Sequence, residues 1–347
     1  MTVPAAPAFD PVPDDATTVL DPAWLATALD LVTDGDRIVD VEPGDSSRTV
    51  AEKLRFTVTV EGADGGRRRH PLCAKGHFGD GFNSLLTEAH AYRDLLPGLA
   101  VRAPRAHYCG IDDAGGRGLI LMDDVDGLGG RFVGSLAPYP VETCRDSLGQ
   151  LAALHAGTWG AEDWSAPWLA PRVATMARMW PAGTLQDLLD DGRAADVPPV
   201  LRDAGALQAA MAATAEVPAT CVLHGDTHSG NAYFDRDGRV CWLDWQVAQR
   251  GHWSLDVSYH LGTVLDTDTR RTHERDLLEH YLAALAGHGV TPPPWDEAWE
   301  RYTLGFTWGF FLWTITRISS REVVLIHLPR LGAALADHET FPRLGVT

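Results

Sequence analysis

The chain has 347 residues, 45% hydrophobic and 22% charged. That composition excludes wholesale disorder and, at roughly 100–200 residues per domain, predicts two domains or a two-lobed unit. Lys plus Arg is 29 and Asp plus Glu is 47, a formal charge of −18 that repels phosphate backbones and anionic lipid and excludes nucleic acid and membrane surfaces as general partners.

The first Lys or Arg is Arg37, so no secretory n-region or Arg-rich transit peptide is read at the start. The first twenty residues hold four prolines and no helical stripe, which predicts a loose tail over 1–20. Asp21-Pro22 is an N-cap followed by Pro at the first helical position, opening a short helix through Leu31. Leu54, Phe56, Val58 and Val60 alternate with polar residues, the period of a half-buried strand. The Gly- and Arg-rich stretch 62–69 turns that strand back into 70–76 as a hairpin. Over 83–96, Leu85, Ala89, Tyr92 and Leu96 form an apolar helical stripe that Pro97-Gly98 ends.

Residues 118–122 read as a buried strand, followed by acidic 123–126 and Gly-rich 127–134. That shift marks a lobe boundary. Beyond it the pattern is helical, with Cys144, Leu148, Leu151 and His155 on one stripe and Leu277, Tyr281, Leu282 and Leu285 on another. The expected class is α+β: a small β-rich N-lobe over 21–122, a hinge over 123–134 and a larger α-helical C-lobe over 135–347. The most apolar run, 305–316, is about 12 residues, against roughly 20 for a bilayer span. The five cysteines, Cys73, Cys109, Cys144, Cys221 and Cys241, are scattered and form no C-x-x-C pair. They suit a reducing compartment, and the expected location is the cytoplasm.

The densest chemistry lies in 221–246, CVLHGDTHSGNAYFDRDGRVCWLDWQ. His224-Gly225-Asp226 follows a short apolar strand, and Asn231 comes five residues after Asp226. Asp235-Arg236-Asp237-Gly238 is a hairpin turn signal, so Asp244 should return beside Asn231 and Asp226. Two carboxylates and an amide at strand ends make a hard-oxygen site suited to Mg²⁺, with one carboxylate left to act as a base.

This pattern resembles the catalytic loop and metal-binding Asp of the aminoglycoside phosphotransferase superfamily, related to choline kinases and sharing the protein-kinase-like fold. The resemblance covers about 38–337 and implies Asp226, Asn231 and Asp244 as catalytic residues, Asn231 and Asp244 also as metal ligands, ATP and Mg²⁺ as cofactors, and a small-molecule hydroxyl acceptor. The H-R-D of protein kinases here reads His-Gly-Asp, and D-F-G reads Asp244-Trp245-Gln246. The family also needs a strand Lys on the nucleotide phosphates and a helix Glu that holds it. Lys75 ends the second hairpin strand. Glu88 falls on the apolar face of the 83–96 helix, where an unpaired carboxylate is costly, so Lys75 is its natural partner. Met122-Asp123-Asp124-Val125 resembles the adenine-binding hinge. The nucleotide-covering loop departs from G-x-G-x-x-G: Val41-Glu42-Pro43-Gly44-Asp45-Ser46-Ser47 has one glycine, leaving Ser46 and Ser47 as its phosphate-contacting candidates.

Two rivals use the same residues. His224, Asp226 and His228 could serve a metal-dependent hydrolase with His252 or His260 as further ligands, though Lys75, Glu88 and Asn231 would then have no role. A non-catalytic nucleotide-binding pseudokinase is the other, against which every charged group of the kinase set is present. For the acceptor, Trp159, Trp164, Trp168, Trp180, Trp253, Trp295, Trp299, Trp308 and Trp313 together allow an aromatic-lined pocket. The acidic surplus allows a polycation, yet 336–347 carry only Asp337 and Glu339 as acids. The stretch 308–338 resembles the ecdysteroid-kinase-like branch, favouring a hydroxylated small molecule.

Overall fold

The computed structural model describes residues 12–13, 15–48, 51–78, 85–160 and 164–346. The chain divides into two compact units. One holds the described residues up to Gly98, with Ala103–Arg131 and Asp235–Gly238; the other holds Leu99–Arg102, Phe132–Phe234 and the chain from Arg239.

The first unit begins with two short helices, α1 (Ala16–Val19) and α2 (Pro22–Ala28). The Asp21 carboxylate caps α2 by accepting from the N–H groups of Ala23 and Trp24, with Pro22 at its first position. The helix ends at Ala28, short of Leu31, because Leu29 turns to extended backbone and buries its side chain. Val12 and Val19 are buried in the same core as Leu25, Phe56, Val58 and Val60. The expected loose tail is therefore corrected over its described part: two anchored apolar side chains hold this stretch to the sheet. Residues 1–11 and 14 lie outside the described residues.

The sheet is antiparallel between neighbours in the order β1 (Arg37–Arg48), β2 (Glu52–Glu61), β3 (Arg67–Gly76), β5 (Arg117–Asp123), β4 (Ala106–Asp112). In β2, Phe56, Val58 and Val60 are buried, as the period-two alternation predicts. The β2–β3 turn is shorter than 62–69. Glu61 already pairs with Arg67, and Arg67 to Arg69 are strand residues whose guanidiniums reach Glu61, Asp36 and Glu42. Behind the sheet, α3 (Leu86–His90) continues through a wider π turn over Ala91–Leu95. Leu85, Ala89, Tyr92 and Leu96 are buried as a stripe, and Glu88 lies among them. Residues 83–84 of the expected helix lie outside the described residues.

The second unit is mainly helical. After a two-residue strand β6 (Arg131–Phe132) come α4 (Val141–Gly157), α5 (Val173–Met179), α6 (Ala182–Leu188) and α7 (Ala204–Ala215). Short strands follow: β7 (Cys221–Leu223), β8 (Ala232–Phe234), β9 (Val240–Trp242) and β10 (Gln249–Gly251). β7 pairs with β10 and β8 with β9, both antiparallel. The remaining helices are α8 (Ser254–Val264), α9 (Thr267–Gly287), α10 (Trp295–Leu304), α11 (Phe306–Ile315), α12 (Arg321–Asp337) and α13 (Thr340–Arg343). Every residue of α8 is buried; α11 and α12 pack against it.

Candidate active site

The loop after β7 is held from below by one carboxylate. Asp256, fully buried on α8, accepts from the His224 N–H at 2.7 Å and the Gly225 N–H at 2.9 Å, and its third partner is His155 Nε2 at 3.2 Å. From α11, the Trp308 indole donates to the Gly225 carbonyl at 2.8 Å. Gly225 itself has φ +84, and a Cβ there would sit 2.3 Å from the Val247 carbonyl oxygen. Only glycine fits that position.

His224 braces the loop. Its Nδ1 accepts from the Asp226 N–H at 3.2 Å while Nε2 donates to the Leu243 carbonyl at 3.0 Å. Burial between Trp242 and Trp245 pulls its pKa below the ordinary histidine value. A neutral, Nε2-protonated ring with both nitrogens engaged has no lone pair for a metal. His260 is engaged too, donating from Nδ1 to the Thr227 carbonyl, and His252 pairs with Ser254. Among the described residues no three His, Cys, Asp or Glu side chains converge as a metal cluster. The hydrolase arrangement thus loses His224, one of the two imidazoles at its centre.

Asp226 receives three groups. The Tyr259 hydroxyl donates to Oδ1 at 2.8 Å, Asn231 Nδ2 donates to Oδ2 at 2.8 Å, and His228 Nε2 stands 3.6 Å from Oδ2. Burial alone would raise its pKa, but His228 and the donated hydrogen bonds hold it down to about 2. Burial chiefly, with the Asp226 charge beside it, keeps Tyr259 protonated.

Asn231 also donates to the Asp226 backbone carbonyl at 2.9 Å, tying both ends of the loop together. The β8–β9 register, Ala232 opposite Trp242, extends through a Leu243 N–H bond to the Asn231 carbonyl at 3.0 Å. Asp244 therefore follows directly beside Asn231. Its φ is 67, a left-handed conformation that Asp tolerates better than most residues and that marks functional positions.

In the first unit, Lys75 Nζ donates to Glu88 Oε2 at 2.6 Å, with side chains only 5% and 1% exposed. The helical spacing had put the two together. Ser46 and Ser47 depart from expectation: both are exposed strand residues of β1, opposite Leu54 and Lys53, not members of a loop. The β1 register slips between Pro43 and Ser46 and then resumes, so the connection to β2 falls after Arg48, partly outside the described residues. Of the hinge candidates, Met122 and Asp123 end β5. The N–H groups of Asp123 and Asp124 donate to the Arg105 and Pro71 carbonyls, and the Asp124 and Val125 carbonyls accept from Leu128 and Gly130. This segment is a braced turn with most of its backbone groups already engaged.

Sequence reading missed Asp256, Tyr259 and Trp308, which hold the loop from helices 30 to 80 residues downstream. The one available signal was Asp256 as a lone acid within the otherwise uncharged run 253–259. Removing it leaves two buried N–H groups unsatisfied, at about 1–3 kcal/mol each. Asp256→Ala should lower unfolding free energy by about 2–5 kcal/mol in chemical denaturation. A loss below about 1 kcal/mol would show that the loop does not depend on it.

The profile of the phosphotransferase enzyme family matches residues 68–306, well over half of the chain. Comparison with curated proteins finds no match. Among solved structures, an ethanolamine kinase of Plasmodium vivax is 10% identical, covering 85% of this chain and 81% of its own with a TM-score of 0.52. A choline kinase from Streptococcus pneumoniae is 13% identical over 91% and 97%, with a TM-score of 0.51. The GDP complex of aminoglycoside 2'-phosphotransferase-IIIa is 13% identical over 86% and 93%, with a TM-score of 0.50. These likenesses concern the fold, which is protein-kinase-like: a β-rich N-terminal unit and a helical C-terminal one. The matched span runs across Lys75, Glu88, Asp226, Asn231 and Asp244, and the chain belongs to the phosphotransferase enzyme family.

Proposed function

We propose that the chain is a cytoplasmic kinase that moves the γ-phosphoryl group of ATP onto a hydroxyl of a small molecule. The observation that carries this reading is Asp226: a carboxylate held ionised by Tyr259, Asn231 and His228 at the end of a loop fixed by Asp256. In the reaction the bond from the γ-phosphorus to the β,γ-bridging oxygen breaks, and a bond to the acceptor oxygen forms. Asp226 orients the acceptor hydroxyl and receives its proton as that bond forms. With so low a pKa it is a weak base, so orientation is its larger contribution.

Asn231 and Asp244 supply oxygen donors, which fit Mg²⁺. Asn231 Nδ2 is committed to Asp226, which leaves Oδ1 as its ligand atom. Magnesium bound there would neutralise phosphate charge. Lys75, steadied by Glu88, is proposed to contact the nucleotide phosphates, and Met122 to Val125 the base; Ser46 and Ser47 stand as weaker contacts from β1.

The test is acceptor-dependent phosphate transfer from ATP and from GTP, with and without Mg²⁺, across a panel of hydroxyl compounds. Zinc retained by the purified protein without nucleotide binding would overturn the reading. Nucleotide binding with no transfer to any acceptor would favour the pseudokinase.

A pH profile adds a second check. The lowered pKa means the fold favours the charged carboxylate, so its stabilisation holds above the ordinary value of 3.8 and fades only as pH falls towards about 2. Asp226 should therefore give kcat/KM no acid limb between about pH 5 and 8. An acid limb in that range that disappears in Asp226→Asn would contradict the assignment.

A further inference from the structure

Away from Asp226, the second unit contains a cavity of about 180 Å³ lined by Arg193, Arg317, Arg321, Thr316, Ser319 and Val324. Three guanidiniums on one cavity reverse locally the sign of a chain with net charge −18. Arg193 is buried and fixed: it donates to the Thr314 and Thr316 carbonyls at 2.6 and 2.9 Å and pairs with Asp191 at 2.9 Å. Arg321 donates to the Asp191 carbonyl at 2.8 Å, its other terminal nitrogen 3.7 Å from the same carboxylate. Arg317 lies 5.4 Å over the Trp180 ring, and among the described residues no carboxylate stands within ion-pair reach of it.

Asp191 thus pairs with two of the three guanidiniums, and Arg317 has no carboxylate of its own. The neighbouring acids do not offset the rest: Asp190 is turned to Gln186, and Glu322 is exposed and outside the lining. Planar guanidinium forks beside two hydroxyls form a donor array matched to a carboxylate or a phosphate.

The position of the cavity links it to the chemistry. The His228 ring, beside Asp226, meets Trp313 edge-on at 5.2 Å, and Trp313 packs on His327 at 4.4 Å. Thr316 caps the end of α11 three residues after Trp313, and Val324 precedes His327 by three on α12, so the two helices that carry this pair also carry residues of the cavity wall. His327 Nε2, buried beside Trp313, has no hydrogen-bond partner among the described residues.

We propose that this cavity is the distal end of the acceptor site and binds a carboxylate or phosphate carried by the hydroxylated acceptor. The inference rests on the kinase reading and narrows it: the acceptor is a hydroxylated acid rather than a polycation or a plain apolar alcohol.

Two arms test it. First, inorganic phosphate is titrated calorimetrically into the protein saturated with Mg²⁺ and a non-hydrolysable nucleotide, which covers the other phosphate-binding groups. Binding to the wild type should weaken roughly tenfold in Arg317→Gln and in Arg321→Gln, with Arg321→Lys recovering part of it. Thermal melts establish that the variants are folded. No binding, or equal binding in all four proteins, overturns the site. Second, hydroxy acids and sugar phosphates are compared as acceptors with their neutral esters and parent sugars. The acids should be preferred, with KM rising roughly tenfold in the Gln variants and kcat nearly unchanged. Arginine-dependent phosphate binding beside unchanged KM values would make this a free-oxyanion site and overturn its acceptor role. Intact phosphate binding with no transfer to any acceptor would fall on the kinase reading, and the anion site would stand.

Discussion

Asp226→Asn should retain nucleotide binding and lose turnover by about 10²–10⁴-fold, the range expected when a positioned proton acceptor is removed. The substitution is nearly isosteric, so the surrounding hydrogen bonds can survive it. An amide with Oδ1 towards Asn231 still accepts from Nδ2, and its own Nδ2 can donate to the Tyr259 hydroxyl, which turns to accept. What disappears is the negative charge. Calorimetric titration of nucleotide should therefore be close to wild type while acceptor-dependent transfer collapses. The basal loop should also remain folded, because its tie to Asp256 passes through the His224 and Gly225 N–H groups and not through the Asp226 side chain. Full turnover in Asp226→Asn would sink the catalytic assignment.

The site was legible in sequence where its parts are close together along the chain. His224 to Asp244 span a loop and a hairpin, and the period of two in the strands carries Asp244 back to Asn231. Glu88 was legible because a carboxylate on an apolar helical stripe demands a partner. The supports were not. Asp256, Tyr259 and Trp308 belong to helices buried on all or nearly all sides, where no polar face exists to make one side chain stand out. Their contacts depend on tertiary packing that no local period encodes. The error over Ser46 and Ser47 has a local cause: Pro43-Gly44-Asp45 has the composition of a turn, yet it forms an irregularity within β1 that the strand passes through. Of the tryptophans, Trp308 holds Gly225 and Trp253 stacks on Tyr281, so both are framework, whereas Trp313 stands beside His228.

Lys75 and Glu88 should prove strongly coupled, and stability and activity should report the coupling differently. The pair is almost wholly buried, so truncating one partner removes this ion pair from the other charge in the interior of the first unit, at about 3–5 kcal/mol. Lys75→Ala and Glu88→Ala should each be destabilised by that order, and the double variant by much less than the sum. Replacement of both by apolar side chains of similar volume, Lys75→Met with Glu88→Leu, should bring stability back towards wild type or above it, since neither desolvated charge remains. Activity should not return. Phosphoryl transfer relies on positioned charge, and without the Lys75 ammonium the nucleotide phosphates lose a cation whether or not the fold is sound. A double apolar variant that is stable yet reduced in kcat/KM for ATP by at least about 10²-fold would show that the pair is kept for function at a cost in stability. If the single losses are additive in denaturation, the two side chains do not depend on one another. If the stable double variant turns over like wild type, Lys75 is no part of the chemistry and its burial against Glu88 is architecture alone.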